Sequence, residues 1–351
     1  MLSAFGLYTH IQANRRRSAL LIAGLFLLFY LMTFGLALLW QVAPWLEGGT
    51  DSFEPLLRAA MRDSLWIAPA ATALAGLWVW CGLRFNTFLL NLTTGSSSLE
   101  RAQAPRLYDL LENLCISRGM TPPRLRILET EAPNAFASGT RAEQYTITVT
   151  RGLIDLLDDR EMEAVLAHEL THIRNEDVRT MVIAVLVVGI FSFIGEFAYR
   201  WLRDSSGYWG FWDLSTRRKS RFDTGGTDKE TKEKGGRLAI LLIAALCIAV
   251  AWQLSLLVRF ALSRRREYLA DAGAVELTKN PDAMIGALTK IQGKGELANV
   301  PSGVMELCLD NPRSGWADLF ATHPSIEKRI DALVRYAGGH TALAPKAGEA
   351  A

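Results

Sequence analysis

His168-Glu169-Leu170-Thr171-His172 is the stretch on which the reading of this chain turns. On a helix, two histidines four residues apart share a face, and both imidazoles can reach one Zn²⁺. Glu169 stands beside them, placed to take a proton from water on the metal. The pattern also arises by chance in long chains, where it marks two surface histidines and nothing more. Its surroundings argue for a site. Glu161 to Asp177 predicts a helix, with Met162, Val165, Leu166 and Ile173 at its apolar positions and no breaker near the motif. Two unligated, unpaired histidines would be costly to bury beside a membrane.

A site of this kind needs a third protein ligand. The chain has five histidines; His10 is remote, His340 lies in the tail and His323 has other work open to it. Glu176 and Asp177 are too close along the same helix to complete a tetrahedral set easily. Glu267 is the better candidate, in Ser263-Arg264-Arg265-Arg266-Glu267-Tyr268-Leu269-Ala270-Asp271. Asp271 follows one turn later on the same face, so one carboxylate can ligate while the other orients a ligand imidazole. The plainer alternative is a charged helix end with an acidic pair.

Outward from these motifs the chain is apolar in blocks. It has 351 residues, 50% of them hydrophobic and 21% charged, with a net charge of +2. That balance gives no sign of a nucleic-acid partner. Ser18 to Trp40, Ser64 to Leu83 and Leu238 to Val258 carry no charge and are each long enough to cross about 30 Å of hydrocarbon as a helix. Thr180 to Gly195 is shorter and stays open between crossing, re-entry and packing on the other helices. Ser18 to Trp40 is too long for the core of a cleaved signal peptide. Arg15, Arg16 and Arg17 precede it, which puts the N-terminus and residues 84–179 in the cytoplasm. The cluster Arg217, Arg218, Lys219 and Arg221 runs against that rule if the third block crosses. The four cysteines lack metal-ligand spacing and read as small buried hydrophobes.

Five regions follow: 1–83 with two membrane helices, 84–179 as the first part of a cytoplasmic catalytic domain, 180–261 with two more apolar segments and a mobile loop, 262–340 as the second catalytic part, and a tail at 341–351. Within the soluble parts, helices are expected at Ser98 to Met120 (ended by Pro122 and Pro123), Gly152 to Leu157, Ser263 to Glu276, Pro281 to Ile291 and Ser325 to Tyr336. Arg124 to Glu129 and Tyr145 to Thr150 alternate as strands around a loop at 131–144.

His168 to Asp177, taken with Ser263 to Asp271, resembles the HtpX-type membrane zinc metallopeptidases, relatives of the CAAX prenyl proteases. The likeness runs from about residue 84 to residue 336. It implies an integral membrane protein with a gluzincin-like α+β metallopeptidase domain, mostly helical with a small sheet. It implies one Zn²⁺ per chain, held by His168, His172 and Glu267, with Glu169 as the base and Asp271 supporting a ligand. Asn175 and Asp177 are read as packing and hydrogen-bonding residues at the helix end, within reach of the ligands. Asn134-Ala135-Phe136-Ala137 resembles the segment ahead of the family's substrate-binding edge strand. His323-Pro324 with Arg329 resembles a C-terminal motif in which a His and an Arg steady the oxyanion. The bland readings of those two are a helix-start residue and a helix-surface charge. The resemblance further implies cleavage of protein or peptide substrates, above all misfolded membrane proteins, at the cytoplasmic side of a cell inner membrane. The competing readings are a prenyl-protein endoprotease, a non-catalytic zinc-bearing membrane scaffold and a transporter. The apolar blocks hold few charges and no paired repeat, which argues against transport.

Overall fold

Long uncharged runs decide the first two elements. Helix α1 (Leu7–Val42) has 36 residues and α2 (Phe53–Thr94) has 42, or about 54 and 63 Å at 1.5 Å per residue. The computed structural model describes residues 7–42, 53–187, 189–190, 243, 245–246, 248–250, 253, 264–297, 300, 302–305, 307–311 and 323–340. The expected loop at 202–235, its basic cluster, most of Leu238 to Val258 and the tail at 341–351 lie outside the described residues.

The chain divides into two units. One comprises Leu21–Trp80 and Leu186–Val258. In it Tyr30 meets Thr72 through their hydroxyls at 2.7 Å, and Gln41 bonds Asp63, so α1 and α2 run antiparallel. Ala37, Leu38, Leu56 and Ala60 form one packed cluster in it. Ile11–Gln41 and Glu54–Thr94 are long and apolar enough, by length and composition, to cross a membrane. The core helix of a soluble protein would hide such a stretch, but only 22% and 17% of their most apolar windows are buried. Leu27, Trp40, Leu65, Trp66 and Leu74 point outward.

The other unit comprises Met1–Leu20, Cys81–Val185 and Arg259–Ala351. Its sheet has strands β1 (Ser97–Ser98), β2 (Arg124–Leu128), β3 (Ala135–Ser138) and β4 (Thr146–Thr150) in the order β1-β2-β4-β3. β2 and β4 are parallel, and β1 and β3 pair antiparallel at the two edges. Both expected strands are present, and β3 is an addition inside the expected loop. Gly139 turns the β3–β4 hairpin at φ 113°, where a Cβ would stand 2.7 Å from the Gln144 carbonyl oxygen.

Helix α3 (Pro105–Arg118) starts later than the expected Ser98, because Ser97 and Ser98 pair with β2 and Pro105 sets the first turn. Gly119, left-handed at φ 63°, ends it before the prolines are reached. A short helix α4 (Arg151–Leu156) follows β4 directly.

Helix α5 (Asp159–Arg174) runs through the middle of this unit. Asp158 accepts from the Arg160 and Glu161 amides while Glu161 reaches back to the Asp158 amide, a reciprocal cap. Ala164, Val165, Leu166, Ala167 and Leu170 are buried. The apolar periodicity predicts a helix as far as Asp177. The helix stops at Arg174, breaks at Asn175 and Glu176, and a new helix α6 covers 177–187.

Helix α7 (Arg265–Thr278) packs along α5, and α8 (Pro281–Ile291), short α9 (Ser302–Met305) and α10 (Ile326–Ala337) complete the described part. α8 has the expected bounds, because Asn280 caps it and Pro281 opens it.

Candidate metal centre

α5 presents His168 and His172 on one buried face. Their Nε2 atoms face one another at 3.1 Å, with the rings nearly perpendicular. Glu267, in the first turn of α7, brings Oε2 to 3.7 Å from His168 Nε2 and 3.8 Å from His172 Nε2. The three ligand atoms all lie within 4.8 Å of one another, and all three residues are buried. Two ligands about 2.0–2.1 Å from one tetrahedral zinc stand roughly 3.3–3.4 Å apart. The observed separations bracket that value, and two nitrogens with one oxygen are a zinc-type donor set. The residues fit the ion.

The outward nitrogens of both imidazoles meet carboxylates. His168 Nδ1 is 3.0 Å from Asp271 Oδ1, and His172 Nδ1 is 3.1 Å from Asp177 Oδ2. That arrangement keeps the proton on Nδ1 and leaves Nε2 to bind. Asp271 is held in turn by Arg329, which donates to both its oxygens at 2.6 and 2.8 Å. Arg329 is 1% exposed and also donates to the Leu309 carbonyl at 3.1 Å, with Nη1 3.6 Å from Glu267 Oε2. The free side of Glu267 is occupied as well. Its Oε1 lies 3.2 Å from Arg266 Nε and 3.2 Å from His323 Nδ1.

These contacts set the electrostatics. Burial lifts the Glu169 carboxyl above the usual carboxylate range, against the pull of the two histidines. Burial would also depress His172, but Glu267 and Asp177 outweigh it and raise the ring to about 10. Glu267 is held well below its ordinary range, with burial overcome by His323 and the ligand histidines. Asp271 is lowered too, where Arg329 outweighs burial.

His168, Glu169, His172, Glu267, Asp271, Asp177, His323 and Arg329 are therefore gathered in one place. Asn175 contributes its backbone carbonyl rather than its side chain, as an acceptor for Asn14. Asn134, Ala135 and Phe136 make none of these contacts with the ligands; they lie at and in β3, which packs against α5. The Asn134 amide donates to the carbonyls of Gly295 and Asp310 at 2.7 and 2.8 Å and is fully buried. Ala135 and Phe136 belong to the edge strand itself, not to a segment ahead of it. The outer side of that strand is partly taken: Leu309 donates to the Ala135 carbonyl at 3.0 Å, and Phe136 bridges to Cys308.

Sequence reasoning missed Arg266, Asn14 and Gly273. Arg266 is one of three consecutive arginines that read as a basic helix flank, and no local signal marks it as the buried one. Gly273 lets α7 lie against α5, since a Cβ there would meet Thr171 Cγ2 at 2.5 Å.

The profile of peptidase family M48 matches residues 101–337. The chain is 38% identical over 296 residues to a protease HtpX homolog of Bacteroides fragilis, an overlap covering 82% of this chain and 86% of that one. It is 31% identical over 330 residues to a protease HtpX homolog of Lactobacillus acidophilus, covering 93% and 99%. Among solved structures, the crystal structure of S. mikatae Ste24p aligns at a TM-score of 0.41 and 20% identity, over 75% of this chain and 57% of that one.

Proposed function

This chain belongs to peptidase family M48, and from that premise we propose how its residues divide the work of cleaving a peptide bond. It is a zinc metalloendopeptidase with one zinc-binding triad, His168, His172 and Glu267. Bound there, zinc supplies Lewis acidity: it lowers the pKa of water and polarises a carbonyl. Glu169 accepts the proton of the attacking water and passes it to the leaving amine. Its raised carboxyl pKa suits a group that must both take and release a proton. The single observation that carries this reading is the convergence of the three buried ligand atoms beside Glu169 on α5.

His323 is the donor we assign to the oxyanion. Arg329 we assign to holding Asp271, and through it His168, because its guanidinium is already committed to both Asp271 oxygens. Asp177 does the same for His172. For Asn134 we favour a staple between β3 and the segments at Gly295 and Asp310. Substrate pairs with the outer edge of β3 beyond Phe136, in the manner of strand addition. β3 packs against the ligand helix α5, which suits such a path.

The substrates are protein segments, and we propose misfolded or damaged membrane proteins as their source. The outward apolar side chains of α1 and α2 fit a lipid surround, and Arg15, Arg16 and Arg17 ahead of the first apolar stretch favour a cytoplasmic catalytic part in a cell inner membrane. The test uses detergent-purified protein and an unfolded membrane-protein substrate. Glu169→Gln should keep zinc at one equivalent and lower cleavage by about 10²–10⁴-fold. Equal cleavage by both proteins would refute the assignment. Glu267→Ala should lose the metal.

A further inference from the structure

We infer that Asn14, on the N-terminal helix α1, is a positioning residue for the metal centre: it holds Asp177 in the orientation that fixes the His172 ring. The reading rests on His172 as a zinc ligand.

Asp177 follows His172 by five residues. Along an unbroken helix it would stand about 140° round the axis and could not meet His172. It meets it because the helix breaks. Asn175 ends α5, and Glu176 takes φ 58°, a conformation that a residue with a Cβ rarely adopts. The direction of α6 is reset there, and Asp177 turns back to place Oδ2 3.1 Å from His172 Nδ1.

The break is held from α1. Arg15 donates to both carboxylate oxygens of Glu176, through Nε at 3.0 and 3.1 Å and Nη2 at 2.5 Å. Asn14 does the finer part. Its Nδ2 donates to the Asn175 carbonyl at 2.9 Å, which the broken helix has left without a helical partner, and to Asp177 Oδ1 at 2.7 Å. The two oxygens of Asp177 are thus divided, one for His172 and one for Asn14. Ser18 adds a tie lower down, its hydroxyl 3.0 Å from that of Thr180. Asn14, Ser18, Asn175, Asp177 and Thr180 are all buried.

A neutral amide suits this position. A carboxylate would face Asp177 with like charge, and an apolar residue would leave two buried acceptors unserved. The chain of contacts runs Asn14 to Asp177 to His172, so the residues just ahead of the first apolar stretch are part of the metal-binding structure.

The test measures zinc affinity of the full-length protein in detergent, by competition with a chromophoric chelator, alongside the Co²⁺ ligand-field spectrum and the melting temperature of the metal-free form. Asn14→Leu removes the donors. Asn14→Asp keeps the shape and serves equally should the first variant fail to fold. Ser18→Ala loosens α1 without touching Asp177. The expected result is a zinc affinity weakened roughly tenfold or more in the Asn14 variants, with an altered Co²⁺ spectrum, while Ser18→Ala keeps wild-type affinity and spectrum. Zinc binding within twofold of wild type in both Asn14 variants overturns the inference. So does an equal loss in Ser18→Ala, which would mean that general loosening alone matters. If His172→Ala binds zinc as well as wild type, the ligand assignment itself fails, an outcome separate from the other two.

Discussion

Gly273→Ala tests whether the close approach of α5 and α7 builds the metal centre. A Cβ on Gly273 would stand 2.5 Å from Thr171 Cγ2, 2.7 Å from its Oγ1 and 3.2 Å from its Cβ. Rotating Thr171 gives no relief. It has three staggered sites and two heavy branches, so at least one of the two sites facing Gly273 is always filled. Its Oγ1 is also tied to the Ala167 carbonyl at 2.8 Å. Carbon atoms rest about 3.5–4.0 Å apart, so the helices must part by roughly 1 Å. Zinc–ligand distances tolerate about ±0.2 Å, and Glu267 rides on the displaced helix. Overpacking of this kind costs about 1–3 kcal/mol. Borne by the zinc-bound state, that is a loss of about 5- to 150-fold in zinc affinity. The sign is diagnostic, because without the clash a glycine-to-alanine change inside a helix would stabilise by about 0.5–1 kcal/mol. The assay is chelator competition for zinc, with a thermal melt of the metal-free protein. Adding Thr171→Ala should restore most of the affinity, since it deletes both offending atoms. Wild-type affinity in Gly273→Ala, or no recovery in the double variant, would refute the reasoning.

Other substitutions separate the supporting roles. Arg329→Met leaves Asp271 buried beside His168 without its bidentate partner and should cost about 3–5 kcal/mol, read as a lowered melting temperature; an unchanged melt would contradict the pairing. Asp158→Ala should cost about 1 kcal/mol through loss of the α5 cap. The Asp158 carboxyl is lowered by the Glu161 and Arg160 amides, so its contribution is complete above the unfolded-chain value near ~3.9 and fades as pH falls through the folded value. Wild type and Asp158→Ala should therefore converge in stability in acid, and a gap that widens there would refute it. Asn134→Ala strands the carbonyls of Gly295 and Asp310 at about 1–3 kcal/mol. It should lower stability and leave KM nearly unchanged; a raised KM at unchanged stability would return Asn134 to the substrate.

The sequence carried the ligands because they are local. His168, Glu169 and His172 fall on one helical turn, and Glu267 with Asp271 repeats that spacing on α7. Pro281 to Ile291 was legible for the same reason, with a cap and a proline adjacent to it. β3 was not, because Ala135 to Ser138 is buried throughout and shows neither alternation nor β-branched residues. The end of α5 was not, because neither Gly nor Pro marks Glu176. Its left-handed backbone is secured by Arg15, which is distant in sequence, and tertiary contacts of that range leave no periodic trace.

The buried charge of the centre shows why those distant residues belong to it. Among the described residues, Glu169, Asp177, Glu267 and Asp271 are buried carboxylates of the centre, and Arg266 and Arg329 are buried guanidiniums beside them. Carboxylates outnumber guanidiniums in this cluster, so it favours a cation at its centre. Charges out of water must be paired, so the ligand set and its counter-charges form one electrostatic unit. Its members come from α5, the start of α6, two turns of α7 and α10, and Asn14 of α1 holds one of them in place. A local motif can announce where zinc binds. The counter-charges that let it bind in a buried place are assembled only by the fold, which is why the pattern around His168 was readable and Arg266 was not.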